Sequence, residues 1–289
     1  MQVSFPGIGI DLTIDRVAFE IFSYPIYWYG LIIALGLLMG ILVASVVSKK
    51  LGETTDIPLD LAIFCGPIAV VFARLYYVIF KLDYYLANPG DIFNFRAGGI
   101  AIYGAVIGAV CAAALYAKYK KYSILKVFDI GAVGLITGQM IGRWGNFFNQ
   151  EAFGDNTELP WGMISENTVS HLRDLQMSGV DVNPQLPVHP TFLYESLWCL
   201  GVLILLFVVI KHYHFNGQVF YAYTSLYGLG RLWIEGLRTD SLMLGPFRIS
   251  QVVAFLCVVV FGVLYFVNFK KSKSKCDTEA ENTVEKFDD

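Results

Sequence analysis

The chain has 289 residues, of which 56% are hydrophobic, 15% aromatic and only 16% charged, and its mean hydropathy is +0.56. That composition excludes an ordinary soluble globule and points to an all-α polytopic membrane protein. So few charges also argue against a nucleic-acid partner, and the formal net charge of -3 says little more, because acidic residues at the carboxyl end offset lysines elsewhere.

A helix that crosses a bilayer needs ~20 mostly apolar residues. By that rule about seven spans follow one another, at about residues 28–47, 58–80, 99–119, 127–142, 192–211, 219–237 and 247–269, the fourth of them short and glycine-rich. Residues 1–27 precede the first span and bring Tyr24, Tyr27, Trp28 and Tyr29 to the membrane surface as an aromatic belt. The first 20 residues have neither a basic stretch nor a small-residue cleavage site, so they do not read as a removed signal peptide. Helices one to four fill residues 28–145, a polar stretch at 146–190 is large enough for a small cap outside the membrane, helices five to seven fill 191–269, and 270–289 form a solvated tail. No internal repeat is evident, which weighs against an inverted-repeat transporter.

Positive charge sets the orientation. Lys49 and Lys50 lie between the first two spans, Lys118, Lys120, Lys121 and Lys126 between the third and fourth, Lys211 after the fifth, and Lys270, Lys271, Lys273 and Lys275 after the seventh. All fall on one side, which must be the cytoplasm, so the amino terminus and the long loop face outward. Every arginine (Arg16, Arg74, Arg96, Arg143, Arg173, Arg231, Arg238 and Arg248) lies outside or within a span. Lysine is a hydrated point charge, whereas the planar guanidinium suits two-point recognition of phosphate. Cys65, Cys111, Cys199 and Cys257 lie in apolar runs and Cys276 in the tail, so they read as small core residues, with no disulfide or zinc site expected.

Two clusters concentrate the polar chemistry. The stretch Gly142-Arg143-Trp144-Gly145-Asn146-Phe147-Phe148-Asn149-Gln150-Glu151-Ala152-Phe153-Gly154 closes the fourth span with an arginine, amides and a carboxylate set among aromatic rings and glycines. A lipid headgroup needs such a set, although an interfacial anchor belt would share the aromatics. In the sixth span Tyr227, Arg231, Glu235 and Arg238 fall in one sector at ~100° per residue. Each mid-span charge costs roughly 2.5 to 3.5 kcal/mol on the insertion scale. Glu235 can pair with Arg231 or with Arg238, which would brace the bundle. Two arginines against one glutamate still leave positive charge near the outer surface, where a lipid phosphate is the anion at hand. Gly98-Gly99-Ile100-Ala101-Ile102-Tyr103-Gly104 opens the third span, its glycines admitting a backbone or a lipid. His189-Pro190-Thr191-Phe192-Leu193-Tyr194-Glu195 opens the fifth, where Tyr194 and Glu195 can be satisfied within the bundle and His189 serves equally to start the helix or to catalyse.

These motifs resemble, in order and over about residues 20–240, those of the prolipoprotein diacylglyceryl transferases. The 142–154 stretch resembles the family signature, and Tyr27-Trp28-Tyr29-Gly30, the 189–195 motif and the run from Tyr227 to Arg238 resemble its other motifs. The resemblance implies a multi-pass enzyme of the bacterial cytoplasmic membrane, open to the outer leaflet. It would move the diacylglyceryl group of phosphatidylglycerol onto the lipobox cysteine of a prolipoprotein signal peptide, releasing glycerol phosphate. By the same resemblance Arg143 would hold the lipid phosphate, Asn146 the headgroup, and Glu151 and Gly154 would shape the site. Arg231 would stabilise the departing phosphate, Glu235 and Arg238 would orient it, and Tyr29 and Tyr227 would line the lipid pocket. Tyr103 stands where many members carry a histidine that could take the thiol proton. A phenol with a pKa near ~10 is a poor base, so either another group accepts that proton or no strong base is needed. No cofactor or metal is implied, since no carboxylates or histidines have ligand spacing. A headgroup phosphotransferase would want a metal-binding aspartate cluster or a histidine nucleophile beside arginines. An anion transporter would want charge at several depths on both sides.

Overall fold

The amino-terminal residues, which carry no span, fold as β-structure. Strand β1 (Gln2–Phe5) pairs antiparallel with β2 (Ile10–Thr13), and Val17–Ile21 (β3) pairs with Tyr24–Tyr27 (β4). Between β3 and β4 only Phe22 and Ser23 intervene, at φ of 48° and 66°, the left-handed pair that a tight hairpin demands. The computed structural model describes residues 1–94, 98–239, 243–245 and 247–285, with side chains to residue 274 except that of Leu244. Arg96, Asp240 and Ser241 therefore lie outside the described residues.

Among the described residues six helices are long and apolar enough to cross a membrane: α1 (Trp28–Lys50), α2 (Ile57–Phe80), α4 (Ile102–Tyr119), α5 (Ile124–Asn149), α7 (Thr191–Lys211) and the first part of α9, Ile249–Ser274. The expected sixth span is a helix too, α8 (Gln218–Leu237), with 20 residues. Its tyrosines, arginine and glutamate lower its hydropathy. They are tolerated because Gln218, Tyr221, Tyr223 and Glu235 are buried by neighbouring helices. Two shorter α-helices, α3 (Leu82–Ala87) and α6 (Glu166–Met177), lie between these spans.

Residues 41–134 form one unit. In it α4 closes onto α2 through two glycines a turn apart: a Cβ on Gly104 would lie 2.5 Å from Phe72 O, and one on Gly108 2.6 Å from Phe72 Cβ. Arg74, an arginine within a span to which the motifs assign no headgroup role, braces a loop. It is buried, and its guanidinium donates to the carbonyls of Asp91, Ile92, Asn94, Gly98 and Gly99 at 2.6–3.2 Å while lying over the Tyr85 ring. Gly98 and Gly99 take φ near +80° and +77°, which turns their carbonyls toward it, so what approaches the glycine pair is a side chain of the same unit.

Residues 1–40 and 135–289 form the other unit. The polar stretch is folded: β5 (Ile164–Ser165) adds to β1, giving a sheet of order β2-β1-β5, and Ser165 caps α6 in a reciprocal box with Thr168. Val3, Ile14, Phe147, Phe153, Met163, Leu172, Val188 and Phe192 make one core, so the amino-terminal strands, the cap, the end of α5 and the start of α7 are a single packed body. The short strands β6 (Met243–Leu244) and β7 (Phe247–Arg248) lead from α8 into α9. Helix α9 runs on to Glu285, so the expected solvated tail begins as helix.

Candidate active site

Helix α5 does not stop at Gly142 but continues to Asn149, because the polar residues of the signature meet protein rather than open solvent. Trp144 Nε1 donates to Ser196 Oγ at 3.2 Å, and that hydroxyl donates to Met140 O at 2.8 Å, tying α5 to α7. The chain then turns sharply, with Gln150 and Ala152 at φ of 53° and 58°. Such non-glycine positions cost of order 1–3 kcal/mol each and persist only where the surroundings impose them. Here Thr191 Oγ1 donates to Ala152 O, and Asn167 Nδ2 donates to Asn149 O at 3.2 Å.

The turn delivers Gly154 to a three-way junction. Its N–H donates to His189 O at 3.0 Å, it bridges to Arg238, and the next N–H, that of Asp155, donates to Leu237 O at 2.8 Å. A Cβ on Gly154 would sit 2.7 Å from Leu237 O and 2.9 Å from His189 Cβ. The signature, the start of α7 and the end of α8 thus meet at a position open only to glycine.

At the centre stands Glu195 on α7. Arg143 Nε of α5 faces its Oε2, Arg231 Nη1 of α8 faces its Oε1, and Arg238 Nη1 lies 3.8 Å from the same Oε1. Arg231 Nη2 also pairs with Glu235, one turn on. Of the two pairings open to Glu235, the one with Arg231 is made. Both glutamates are 3% exposed, so the network is a buried one. Among the described residues it joins three guanidinium groups to two carboxylates, a formal excess of one positive charge. Arg248 of β7 donates to Glu235 O, and Gln251 Nε2 donates to Leu232 O at 2.7 Å, so β7 and α9 fasten the carboxyl-terminal part of α8.

Tyr227 lies beside Arg143 and stacks on Tyr223 at 5.8 Å, whose hydroxyl donates to Gln139 Oε1 at 3.1 Å. Cys199, one turn past Glu195 and 1% exposed, is within electrostatic reach of Arg143 and Arg231. Asn146 Nδ2 donates to Glu151 Oε1 at 2.9 Å. Tyr29 lays its ring on Gly145, 2.9 Å from where a Cβ would be. With Arg16, Tyr27, Asn149 and Glu151 it lines a cleft of about 660 Å³. Tyr103 is half-buried in the first turn of α4, in the 41–134 unit. Glu195, a residue the sequence lets be satisfied within the bundle, is so satisfied by arginines of the site itself, and Arg16, Arg248 and Cys199 join the surroundings of the site without a motif to mark them. The sequence signal for Glu195 is its place, a carboxylate one turn into a span with arginines in excess on another helix.

A family model described as Prolipoprotein diacylglyceryl transferase matches residues 16–267. The chain is 42% identical over 265 residues to the phosphatidylglycerol–prolipoprotein diacylglyceryl transferase of Clostridioides difficile (strain 630), covering 92% of this chain and all of that protein. It is 43% identical over 271 residues to the proteins of the same name from Bacillus cereus (strain 03BB102) and Bacillus anthracis, covering 92% of this chain and 97% of each.

Proposed function

Since this chain belongs to the prolipoprotein diacylglyceryl transferase family, we propose that it carries the diacylglyceryl group of phosphatidylglycerol to the lipobox cysteine of prolipoprotein signal peptides. The products are a thioether and glycerol 1-phosphate. The observation that carries this reading is the buried convergence of Arg143, Arg231 and Arg238, from two helices and the end of one, on the single carboxylate of Glu195. A phosphate whose charge grows as its carbon–oxygen bond breaks is the partner such a network suits.

The reaction is displacement at the glycerol carbon that bears the phosphate. The nucleophile comes with the substrate, and a thiol of pKa ~8.5 is already a few per cent thiolate at neutral pH. Most of the barrier therefore lies with the leaving group. Arg143 holds the phosphate through its planar fork and Arg231 receives the charge that develops, while Glu235 and Arg238 keep Arg231 and Glu195 in register. Asn146, oriented by Glu151, addresses the headgroup. Tyr29 and Tyr227 line the lipid path, and Gly154 closes the junction around it. Tyr103 remains a proton-handling candidate at the start of α4. We read α8 as spanning the membrane too, which brings the total to seven, the body containing the 146–190 cap as extracytoplasmic, and the membrane as the bacterial cytoplasmic one with the site toward its outer leaflet. Phosphatidylglycerol, prolipoproteins and the bilayer itself are then the partners.

The test is to incubate membranes bearing the chain with phosphatidylglycerol vesicles and a lipobox peptide, and to weigh the peptide. The expected product gains a diacylglycerol through its cysteine. Arg143→Lys, which keeps the charge and loses the fork, is expected to lower the rate ~10²–10³-fold. A peptide left unmodified by the wild-type chain would refute the assignment.

A further inference from the structure

The arginine network engages only the last residue of the 189–195 motif. Just before it, His189 Nδ1 lies 3.2 Å from Tyr194 Oη, and Trp161 Nε1 donates to that same oxygen at 2.8 Å. An indole N–H can only donate, so the phenol oxygen accepts from Trp161, and in the tautomer that carries its proton on Nε2 the His189 ring accepts the phenol proton at Nδ1. Burial lowers the pKa of His189 below its ordinary value, with Asp155 pulling the other way. That shift favours the neutral ring, whose Nδ1 lone pair faces the phenol in the Nε2–H tautomer. Among the described residues, Tyr194 and Glu195 on α7, Arg238 just past the end of α8, and His171 of α6, whose Nε2 is 3.3 Å from Thr239 Oγ1, are further ionisable side chains at this junction.

The place matters as much as the chemistry. His189 is held by hydrogen bonds to Gly154 and Asp155, on the opposite side of Gly154 from Arg238. Tyr194 directly precedes Glu195, and its ring faces that of Trp233 on α8 at 6.0 Å. Trp161 and Trp233 are 42% and 44% exposed, so the phenol can be approached from outside the bundle while the arginines lie within it.

Resting on the transferase function proposed above, we propose that Tyr194 and His189 form the relay that takes the proton from the attacking lipobox thiol. The S–H proton passes to Tyr194 Oη as the tyrosine proton passes to His189 Nδ1. The sulfur electron pair forms the new S–C bond. The C–O bond breaks with its pair going to the phosphate oxygen, which leaves as glycerol phosphate. The imidazolium, eased by Asp155, returns its proton to water. A phenol alone is a poor base, and the imidazole behind Tyr194 changes that.

The experiment follows initial rates of peptide modification by membranes bearing the full chain, from pH 6 to 9.5, for the wild type, His189→Gln and Tyr194→Phe. Both variants are expected to lose about 10²-fold or more at pH 7. The loss should shrink as pH passes the thiol pKa of ~8.5, to within a few-fold of wild type at the top of the range. A deficit that stays constant with pH, or no deficit at all, overturns the relay. The wild-type chain gives a readout independent of variant folding: a solvent deuterium isotope effect at pH 7 that fades above the thiol pKa. Its absence at pH 7 also overturns the relay. A wild type that makes no thioether at any pH would instead sink the transferase assignment.

Discussion

Glu195 carries more of this site than any other side chain. Two helices direct arginines at it, and at 3% exposure it has no water to fall back on. Removing one member of a buried ionic cluster typically costs ~3–5 kcal/mol, because it leaves opposite charge uncompensated. Glu195→Gln keeps the shape and deletes the charge, leaving Arg143, Arg231 and Arg238 with Glu235 as the remaining carboxylate of the network. Its detergent-solubilised melting temperature is therefore expected to fall well below that of Ser196→Ala, which loses the neutral bonds to Trp144 and Met140 and should cost only ~1 kcal/mol. Equal shifts in the two variants would mean that the cluster does not hold the helices together. At this scale the sequence was partly legible. The stripe of Tyr227, Arg231 and Glu235 follows from helical periodicity, whereas Arg238, expected on the same stripe, lies just past the end of α8 with extended backbone. The place of Glu195 does not, since its partners stand 52 and 36 positions away along the chain, and no local pattern encodes which helix faces which. Arg74 shows the converse: its residue type suits phosphate, but its burial beside five carbonyls assigns it to a loop.

Between elements, the decisive feature is how closely backbones approach. Gly154 has room for no side chain, with Leu237 O and His189 Cβ inside 3 Å of a would-be Cβ. Backbone cannot rotate away as a flexible side chain could, so Gly154→Ala must part α8 from the start of α7. A loss of ~1–3 kcal/mol is expected, the usual range for overpacking, together with a fall in turnover as Arg238 is displaced. Gly201→Ala on α7, where nothing lies within 4 Å, is the comparison and should be neutral or stabilising by ~0.5–1 kcal/mol. If Gly154→Ala melts with Gly201→Ala and retains full turnover, the junction is looser than its distances indicate. The spans themselves were legible because long apolar runs admit few alternatives. The end of α5 was not, because arginine and amides read as a loop until a neighbouring helix is known to receive them. The cap was closed to inspection for a related reason: β5 has only two residues and is defined by its pairing with β1, far away in sequence.

For the whole molecule, the lysines offer a physical account of topology. Lys49 and Lys50 end α1, Lys118 ends α4 and Lys211 ends α7, where the negative pole of the helix dipole favours a cation. Dipole and positive-inside preference therefore act together, since each of these helices would descend from outside to cytoplasm and finish on a basic residue. The arginines of the ion-pair network stand near the carboxyl ends of α5 and α8, helices that by the same reading would rise to the outer side, where the proposed phosphate chemistry needs them. Labelling with a membrane-impermeant maleimide tests the arrangement, in a chain whose own five cysteines have been replaced. Phe22→Cys, at a hairpin tip that is 93% exposed, is expected to react in intact cells. Lys50→Cys, exposed at the end of α1, should react only after the membrane is opened. The reverse pattern would put the Glu195 cluster on the cytoplasmic side, away from any prolipoprotein cysteine emerging at the outer surface, and the transfer chemistry argued for these arginines would lose its acceptor.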